Sequence, residues 1–387
     1  MKRLFVALGP DWGRHPASLN HIVRVLARTE PVVWINSIAQ RAPRLCLADL
    51  RRGVAKLWSA CQAPTEPATG PLVVHPRVLP YHQYRPVRRI NGRLLAAQLQ
   101  PALDRIQPDF ITVVSTNPAG IELIEELDPD VSAYFCMDDY ARMRDSDAHL
   151  IEVCEHLMLR RADLVFATSE ALCTLKARPG RIPIYLPQGV DISHFQTPPP
   201  APAALSALPR PIIGFQGIVG PRVNLDLLAQ ICARFPQASV VTLGKVEVNL
   251  SRLTRYPNFH AFGAVSYEDL PRWISAFDIG LIAYIQDEHT ASVNPLKLLE
   301  YLAMGMPVVS VELPELAHHK PHVHTALSDT AYLAQLATLI RRFPFPAQEH
   351  AARRRYAAQH SWDHRAAQFL QACDARLPQP TKAAVGA

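Results

Sequence analysis

Short apolar runs alternate with amphipathic stretches along this chain. Residues 4–8, 32–36, 110–114, 132–137 and 164–167 are apolar runs of the length of a buried strand. Between them, apolar residues fall at helical spacing. Leu19, Ile22, Val23 and Leu26 mark a helix over residues 18–28, and a second helix is expected over residues 147–162. Strand–loop–helix–strand order of this kind predicts an α/β fold with a doubly wound parallel sheet. The pattern breaks at Thr197-Pro198-Pro199-Pro200-Ala201-Pro202, whose composition is that of a linker. It then restarts with strands at residues 211–215, around 240–241, at 279–284 and from 308, and with a helix from about Asn224. The expected division is a first domain over 1–197, a linker over 198–210, a second domain over 211–345 and a closing helix over 346–378.

One stretch, residues 294–309, reads as a helix with both ends marked. Asn294 can cap its start, Pro295 suits the first helical position, Gly305 suits the left-handed residue after the last turn, and Pro307 prevents continuation. Leu296, Leu299 and Ala303 can face a core. Lys297 in the first turn is disfavoured by the helix dipole unless an anion sits there, and Glu300 is its neighbour one turn on. A carboxylate in that place could accept hydrogen bonds from a ribose diol. The alternative is a surface Lys–Glu pair of small energetic weight.

Ligands of doubly wound sheets lie beyond the carboxyl ends of strands. The loop Gly9-Pro10-Asp11-Trp12-Gly13-Arg14 follows the first strand and is either a wall of such a crevice or a plain Gly-rich turn. It lacks the GxGxxG pattern of dinucleotide-binding proteins. Asp138 and Asp139 end the strand at 132–137 and either face the crevice or cap the next turn. Gly214, Gly217 and Gly220 surround the end of the strand at 211–215, where backbone amides can approach a phosphate closely.

Composition narrows the partners. The chain has 387 residues, 49 % of them hydrophobic, enough for two domains with substantial cores. The net charge of +6 is compatible with nucleic acid, anionic membrane or phosphorylated substrates. Its basic residues are scattered without a nucleic-acid module, so no nucleic-acid partner is expected. Two basic–apolar stretches, residues 43–60 and the run Tyr84, Arg85, Arg88, Arg89 and Arg93, either touch a membrane surface or pack on their own domain. The apolar run at the N-terminus is too short for a signal peptide, and no window has the apolar length of a membrane helix. Seven Cys without paired spacing fit reduced thiols, so the expected location is cytoplasmic, with peripheral attachment to the inner face of the membrane. No CxxC pair, His/Cys cluster or DxD motif suggests a metal.

The 294–309 stretch resembles the donor-site helix of GT-B glycosyltransferases of the GT4-type, group 1 family. Glu300 matches the second Glu of that family's E-x7-E motif, and Ser292 stands where the first would be. Residues 184–195, with Pro187-Gln188-Gly189-Val190-Asp191 and Phe195, resemble the family's P-N-G-V-D…F element, with Gln188 in place of Asn. Asp11-Trp12, Asp138-Asp139-Tyr140 and Ala167-Thr168-Ser169-Glu170 are similar to the branch that includes teichuronic acid biosynthesis glycosyltransferases. The resemblance implies a GT-B fold, two Rossmann-like doubly wound domains facing across a cleft. It implies transfer of a sugar from a nucleotide-diphosphate sugar to a hydroxyl of a glycan or lipid-linked acceptor, in cell-surface or exopolysaccharide and glycolipid synthesis. The implied enzyme is a metal-independent, retaining hexosyltransferase with no cofactor beyond its nucleotide-sugar co-substrate. Gly217, Arg222, Lys245, Asn294, Lys297 and Glu300 would hold the donor. Arg222 falls where the family's diphosphate Lys stands. Ile218 replaces the family Arg, and Lys245 is either its substitute or a solvated surface residue. Asp138 and Asp139 would be catalytic, near the family's His position, and Asp11, Trp12, Gly13 and Arg14 would form an acceptor-side loop. Alternatives are a GT-B sugar-nucleotide epimerase and a non-catalytic sugar-nucleotide-binding subunit of a polysaccharide assembly complex.

Overall fold

A computed structural model describes residues 2–13, 16–38, 70–143 and 147–377. Arg14 and the basic stretch at 43–60 lie outside these residues. The chain divides into two compact units: one of Met1–Thr168, Leu172–Leu186 and Arg365–Ala387, the other of Ser169–Ala171 and Pro187–His364.

The first unit is built on a seven-stranded sheet. Its strands are β1 (Arg3–Leu8), β2 (Val32–Ile35), β3 (Leu72–Val74), β4 (Phe110–Ser115), β5 (Val131–Cys136), β6 (Leu164–Ala167) and β7 (Ile184–Tyr185). They run parallel in the order β3-β2-β1-β4-β5-β6-β7, which reverses direction between β1 and β4. Strands covered on both faces read as continuous apolar runs, and β1 and β5 are buried along almost their whole length. The helix Ala148–Arg161 starts where expected, with the Asp147 carboxylate accepting from Leu150 N at 3.1 Å.

The helix Arg85–Ile106 was not legible from periodicity, because Gly92 and Pro101 interrupt it. Gly92 has a packing reason: a Cβ there would meet the Glu122 carbonyl oxygen at 2.6 Å, so it lets the helix Ile121–Leu127 approach closely. Beside that contact, Arg88 pairs with Glu122 at 2.8 Å and donates to the carbonyls of His82 and Gln83. The final helix, Trp362–Asp374, brings Phe369 against Phe166 and Phe5, with ring centroids 4.9 and 6.4 Å apart. Ser361 caps it through His364 N at 3.2 Å. The expected single closing helix is thus two, Ala347–Ala358 and Trp362–Asp374.

The second unit carries a six-stranded sheet, β8 (Ile212–Gln216), β9 (Ser239–Leu243), β10 (Phe259–Phe262), β11 (Ile279–Ile282), β12 (Val308–Val311) and β13 (Val323–Ala326). All pairings are parallel, in the order β10-β9-β8-β11-β12-β13, reversing between β8 and β11. Asn224 caps the helix Leu225–Arg234 by accepting from Leu227 N at 2.9 Å. This unit reaches further back than the sequence suggested. Val190, Phe195 and Leu205 are buried in its core, so part of the expected linker is packed. The Pro187–Phe195 element is tied in by backbone bonds from Val190 N to His360 O and from Trp362 N to Val190 O. Asp191 caps the short helix Ile192–Gln196.

Candidate functional site

In the second unit the strand order reverses at β8 and β11, the place where an open α/β sheet forms a crevice beyond its strand ends. The 294–309 helix comes to this place, with one correction at its start. Regular helix runs Lys297–Ala303 and Asn294 is not its cap. The Asn294 carbonyl instead accepts from Gln188 Nε2 at 3.2 Å, and its amide donates to Glu315 Oε2 at 3.4 Å. The first turn is tight, with Leu298 N donating to Pro295 O, which explains the late start. The far end is as the sequence indicated. Gly305 has φ +83°, Gly305 N donates to Leu302 O, and Met306 N donates to Tyr301 O, the two bonds of a Schellman motif.

Lys297 and Glu300 are both buried, so they are not a surface pair. The Lys297 ammonium lies 3.8 Å from the Phe215 ring centroid and 4.9 Å from that of Tyr284. Two ring faces favour the cation electrostatically, but they are not acceptors of its protons. Among the described residues no hydrogen bond or ion pair engages that ammonium. A methyl group on Gly217 would come within 3.1 Å of Lys297 Nζ, and Gly217 has φ +118°, so both space and backbone demand glycine there. Glu300 accepts from Gln216 Nε2, and burial pushes its carboxyl up to about 7 although Lys297 and Gln216 both pull it down. Gln216 is held in turn. Its N–H donates to the Tyr301 hydroxyl at 2.7 Å, and that hydroxyl donates to Gly214 O at 3.3 Å.

The other expected donor residues differ in kind. Arg222 is exposed and donates from Nη1 to His289 Nε2 at 3.0 Å. Lys245 is exposed and pairs with Glu247 at 2.6 Å, the geometry of a surface ion pair. Ser292 donates to His289 O at 2.8 Å in a short 3-10 turn, and Ile218 is exposed. Sequence reasoning missed Gln216, Phe215, Tyr284 and Tyr301. Gln216 had a signal, as a polar residue ending an apolar strand just before a glycine; the aromatic residues read as ordinary core.

In the first unit, Asp138 and Asp139 follow β5 as expected and have different surroundings. Asp139 is buried, with Lys176 Nζ at 3.1 Å and Arg142 Nε at 3.1 Å. Lys176 also pairs with Glu155 at 2.8 Å, and Glu155 accepts from the Tyr134 hydroxyl at 2.7 Å. The Asp139 charge is therefore committed to an internal network, which sequence spacing could not reveal because its members come from separate elements. Asp138 is partly exposed, and its Oδ1 accepts from Asp139 N at 2.9 Å. The Asp11–Gly13 loop lies at this sheet's own reversal. Asp11 Oδ1 accepts from Ser37 Oγ at 2.7 Å, and Trp12 N donates to Asn36 Oδ1 at 2.8 Å. The Trp12 ring packs on Trp34 at 5.0 Å, with the Arg24 guanidinium 5.7 Å from it. Among the described residues no group of three or more His, Cys, Asp or Glu is arranged to hold a metal ion.

Two parallel sheets, each with an order reversal, define a GT-B fold, and known structures agree with it. HepE of Anabaena, solved in complex with UDP and glucose, superposes with a TM-score of 0.65 at 15 % identity, over 96 % of this chain and 99 % of that one. A glycosyltransferase of Rickettsia africae ESF-5 gives a TM-score of 0.67 at 12 % identity, over 98 % and 100 %. The sucrose-phosphate synthase of Thermosynechococcus elongatus gives 0.65 at 15 %, over 96 % and 98 %. Residues 222–371 match the family model described as glycosyl transferase-like. TuaH of Bacillus subtilis (strain 168), whose name assigns it to teichuronic acid biosynthesis as a glycosyltransferase, is 27 % identical over 252 residues. The match takes in 59 % of this chain and 63 % of the length of TuaH. The fold is GT-B, and these similarities support a group 1 glycosyltransferase.

Proposed function

We propose that this protein transfers a sugar from a nucleotide-diphosphate sugar to a hydroxyl group of a glycan or lipid-linked acceptor, in polysaccharide or glycolipid synthesis, as a GT4-type enzyme. One observation carries the reading. Lys297 is a buried ammonium against two aromatic rings that makes no hydrogen bond or ion pair among the described residues, its charge coupled to the buried carboxyl of Glu300. Lysine is rarely buried without a partner, because desolvation of its charge is costly. A donor diphosphate would supply the missing acceptors, and a ribose diol would suit Glu300. HepE, which shares the fold, is solved with UDP and with UDP-glucose, and these are the natural first probes.

In the proposed reaction the bond from the anomeric carbon to the diphosphate oxygen breaks. The acceptor oxygen forms the new glycosidic bond and gives up its proton to the Asp138 carboxylate. Lys297, with Arg222 at the rim, would stabilise charge developing on the departing diphosphate without a metal. Asp138 is the better of the two carboxylates for holding the acceptor hydroxyl, since Asp139 is engaged by Lys176 and Arg142. Retention of the anomeric configuration, which extends the family resemblance, and attachment to the inner face of the cytoplasmic membrane, which rests on the net charge of +6 and the basic–apolar stretches, complete the proposal.

A panel of nucleotide sugars tests the reading, scored for nucleotide release, for product configuration and for binding. Release with transfer supports the enzyme. A nucleotide sugar of altered configuration would make it an epimerase, and binding alone would make it the non-catalytic subunit, to which Ser292 and Ile218 would then belong. Once an acceptor is found, Asp138→Asn should lower transfer by roughly a hundredfold or more while donor affinity persists. An unchanged rate would remove Asp138 from the chemistry.

A further inference from the structure

One exposed face of the first unit combines apolar and basic side chains. Among the described residues, five large apolar side chains that face solvent fall between residues 79 and 94, Leu79, Tyr81, Tyr84, Ile90 and Leu94, and a second group, Leu175, Ile182, Ile184 and Tyr185, lies elsewhere in the unit. Ile90 and Leu94 stand one turn apart on the Arg85–Ile106 helix and form a ridge. Arg85, Arg89 and Arg93, spaced four residues apart, form an exposed row along one flank of that ridge. On the other flank runs the segment carrying Leu79 and Tyr81.

That segment is clamped rather than loose. The Asn91 side chain accepts from Leu79 N at 2.7 Å and donates to Leu79 O at 3.0 Å. Gln98 makes the same pair of bonds to Arg77 N and O, at 2.8 and 3.0 Å. Arg88, buried and paired with Glu122, donates to the carbonyls of His82 and Gln83. Tyr81 is held at φ +69°, a conformation a tyrosine adopts only when its surroundings fix it. Two buried polar side chains, Asn91 and Arg88, and the half-buried Gln98 thus hold the chain so that aromatic and aliphatic groups point to water. Self-association of a loose loop would not need such a scaffold, and preorganisation lowers the cost of binding a surface.

We infer that this face docks on an anionic lipid bilayer. Apolar groups with tyrosines suit the depth just below the headgroups, and long arginine stems can lie along the same layer while their charges reach phosphate. Charge complementarity selects the lipid. Among the described residues the arginine row meets one acidic group at ion-pair distance, Glu126, 3.8 Å from Arg93 and itself exposed. No helix among the described residues is long and apolar enough to cross a membrane, so the contact is one of surface docking. This deepens the acceptor side of the proposed function, since a lipid-linked acceptor is met at such a surface.

The test is sedimentation of the whole protein with phosphatidylcholine vesicles, with and without phosphatidylglycerol. Binding is expected only with phosphatidylglycerol and should weaken as salt rises. The triple variant R85E/R89E/R93E should lower partitioning by roughly a hundredfold. I90S/L94S should lower it too, while UDP-glucose binding and thermal unfolding stay at parent values. Equal binding of parent and variants, no binding at low salt, or equal binding to phosphatidylcholine alone would overturn the assignment. So would a parent dimer in light scattering that these variants dissolve, which would give the face to a second copy of the chain. None of these readouts uses sugar transfer, so failure of the enzyme reading and failure of this one are separable.

Discussion

Two buried lysines mark the difference between the two units. Lys176, in the first, is enclosed by Glu155 and Asp139, with Tyr134 and Arg142 completing the network. Lys297, in the second, is as buried but lies against the rings of Phe215 and Tyr284, and among the described residues it makes no hydrogen bond or ion pair. The two sheets have the same reversal of strand order, so topology does not explain the contrast. The first lysine is satisfied by its own fold and belongs to stability. The second makes no hydrogen bond or ion pair among the described residues, and we assign it to binding.

The largest expected effect breaks this contrast by removing each charge in turn. Lys176→Met leaves two carboxylates facing each other in a buried place, and should destabilise the protein by about 3–5 kcal/mol. Lys297→Met removes an ammonium that makes no hydrogen bond or ion pair among the described residues, and should change stability by less than about 1 kcal/mol. Urea unfolding curves check both, and similar losses in the two variants would erase the distinction.

A smaller effect concerns Glu300. Glu300→Ala should weaken UDP-glucose binding by roughly 1.5–3 kcal/mol, as for loss of a charged hydrogen-bond acceptor, with the fold intact. The same residue gives a pH signature. Burial pushes its carboxyl from the ordinary 4.5 up to about 7, so between those values the folded chain holds a proton that the unfolded chain has released. Its contribution to stability therefore falls as pH rises through that window. A diol that requires the carboxylate should bind more tightly as pH rises through 7 and release a proton on binding. UDP-glucose suits the measurement because it carries no group of its own titrating near neutrality. Calorimetry in two buffers of different ionisation enthalpy would detect the proton, and a flat pH profile would count against a carboxylate contact.

The same contrast explains what was legible in the sequence. Apolar runs such as residues 4–8 and 164–167 mark strands because a parallel sheet covered on both faces needs continuous hydrophobic surface. Gly305 and Pro307 mark the end of the 294–309 helix because the backbone itself demands them. Lys297 and Glu300 could be singled out because charged residues on an otherwise core-facing helix need a reason. The helix start was misjudged because Asn294 is a good cap in isolation, whereas here its polar groups are taken by Gln188 and Glu315, from distant parts of the chain. Lys176 gave no local sign at all. Its partners are 21 and 37 residues away, and only the sheet brings them together. Lys245 illustrates the opposite failure: a basic residue near a strand end invited a role, and it is an exposed partner of Glu247.

If Lys297 holds the phosphates of a nucleotide, Lys297→Met should weaken UDP binding by roughly tenfold or more, the scale of a charge-assisted hydrogen bond, and leave uridine affinity nearly unchanged. Calorimetric titration of the parent protein and Lys297→Met with UDP and with uridine measures both. Equal losses for the two ligands, or no loss for UDP, would contradict that role.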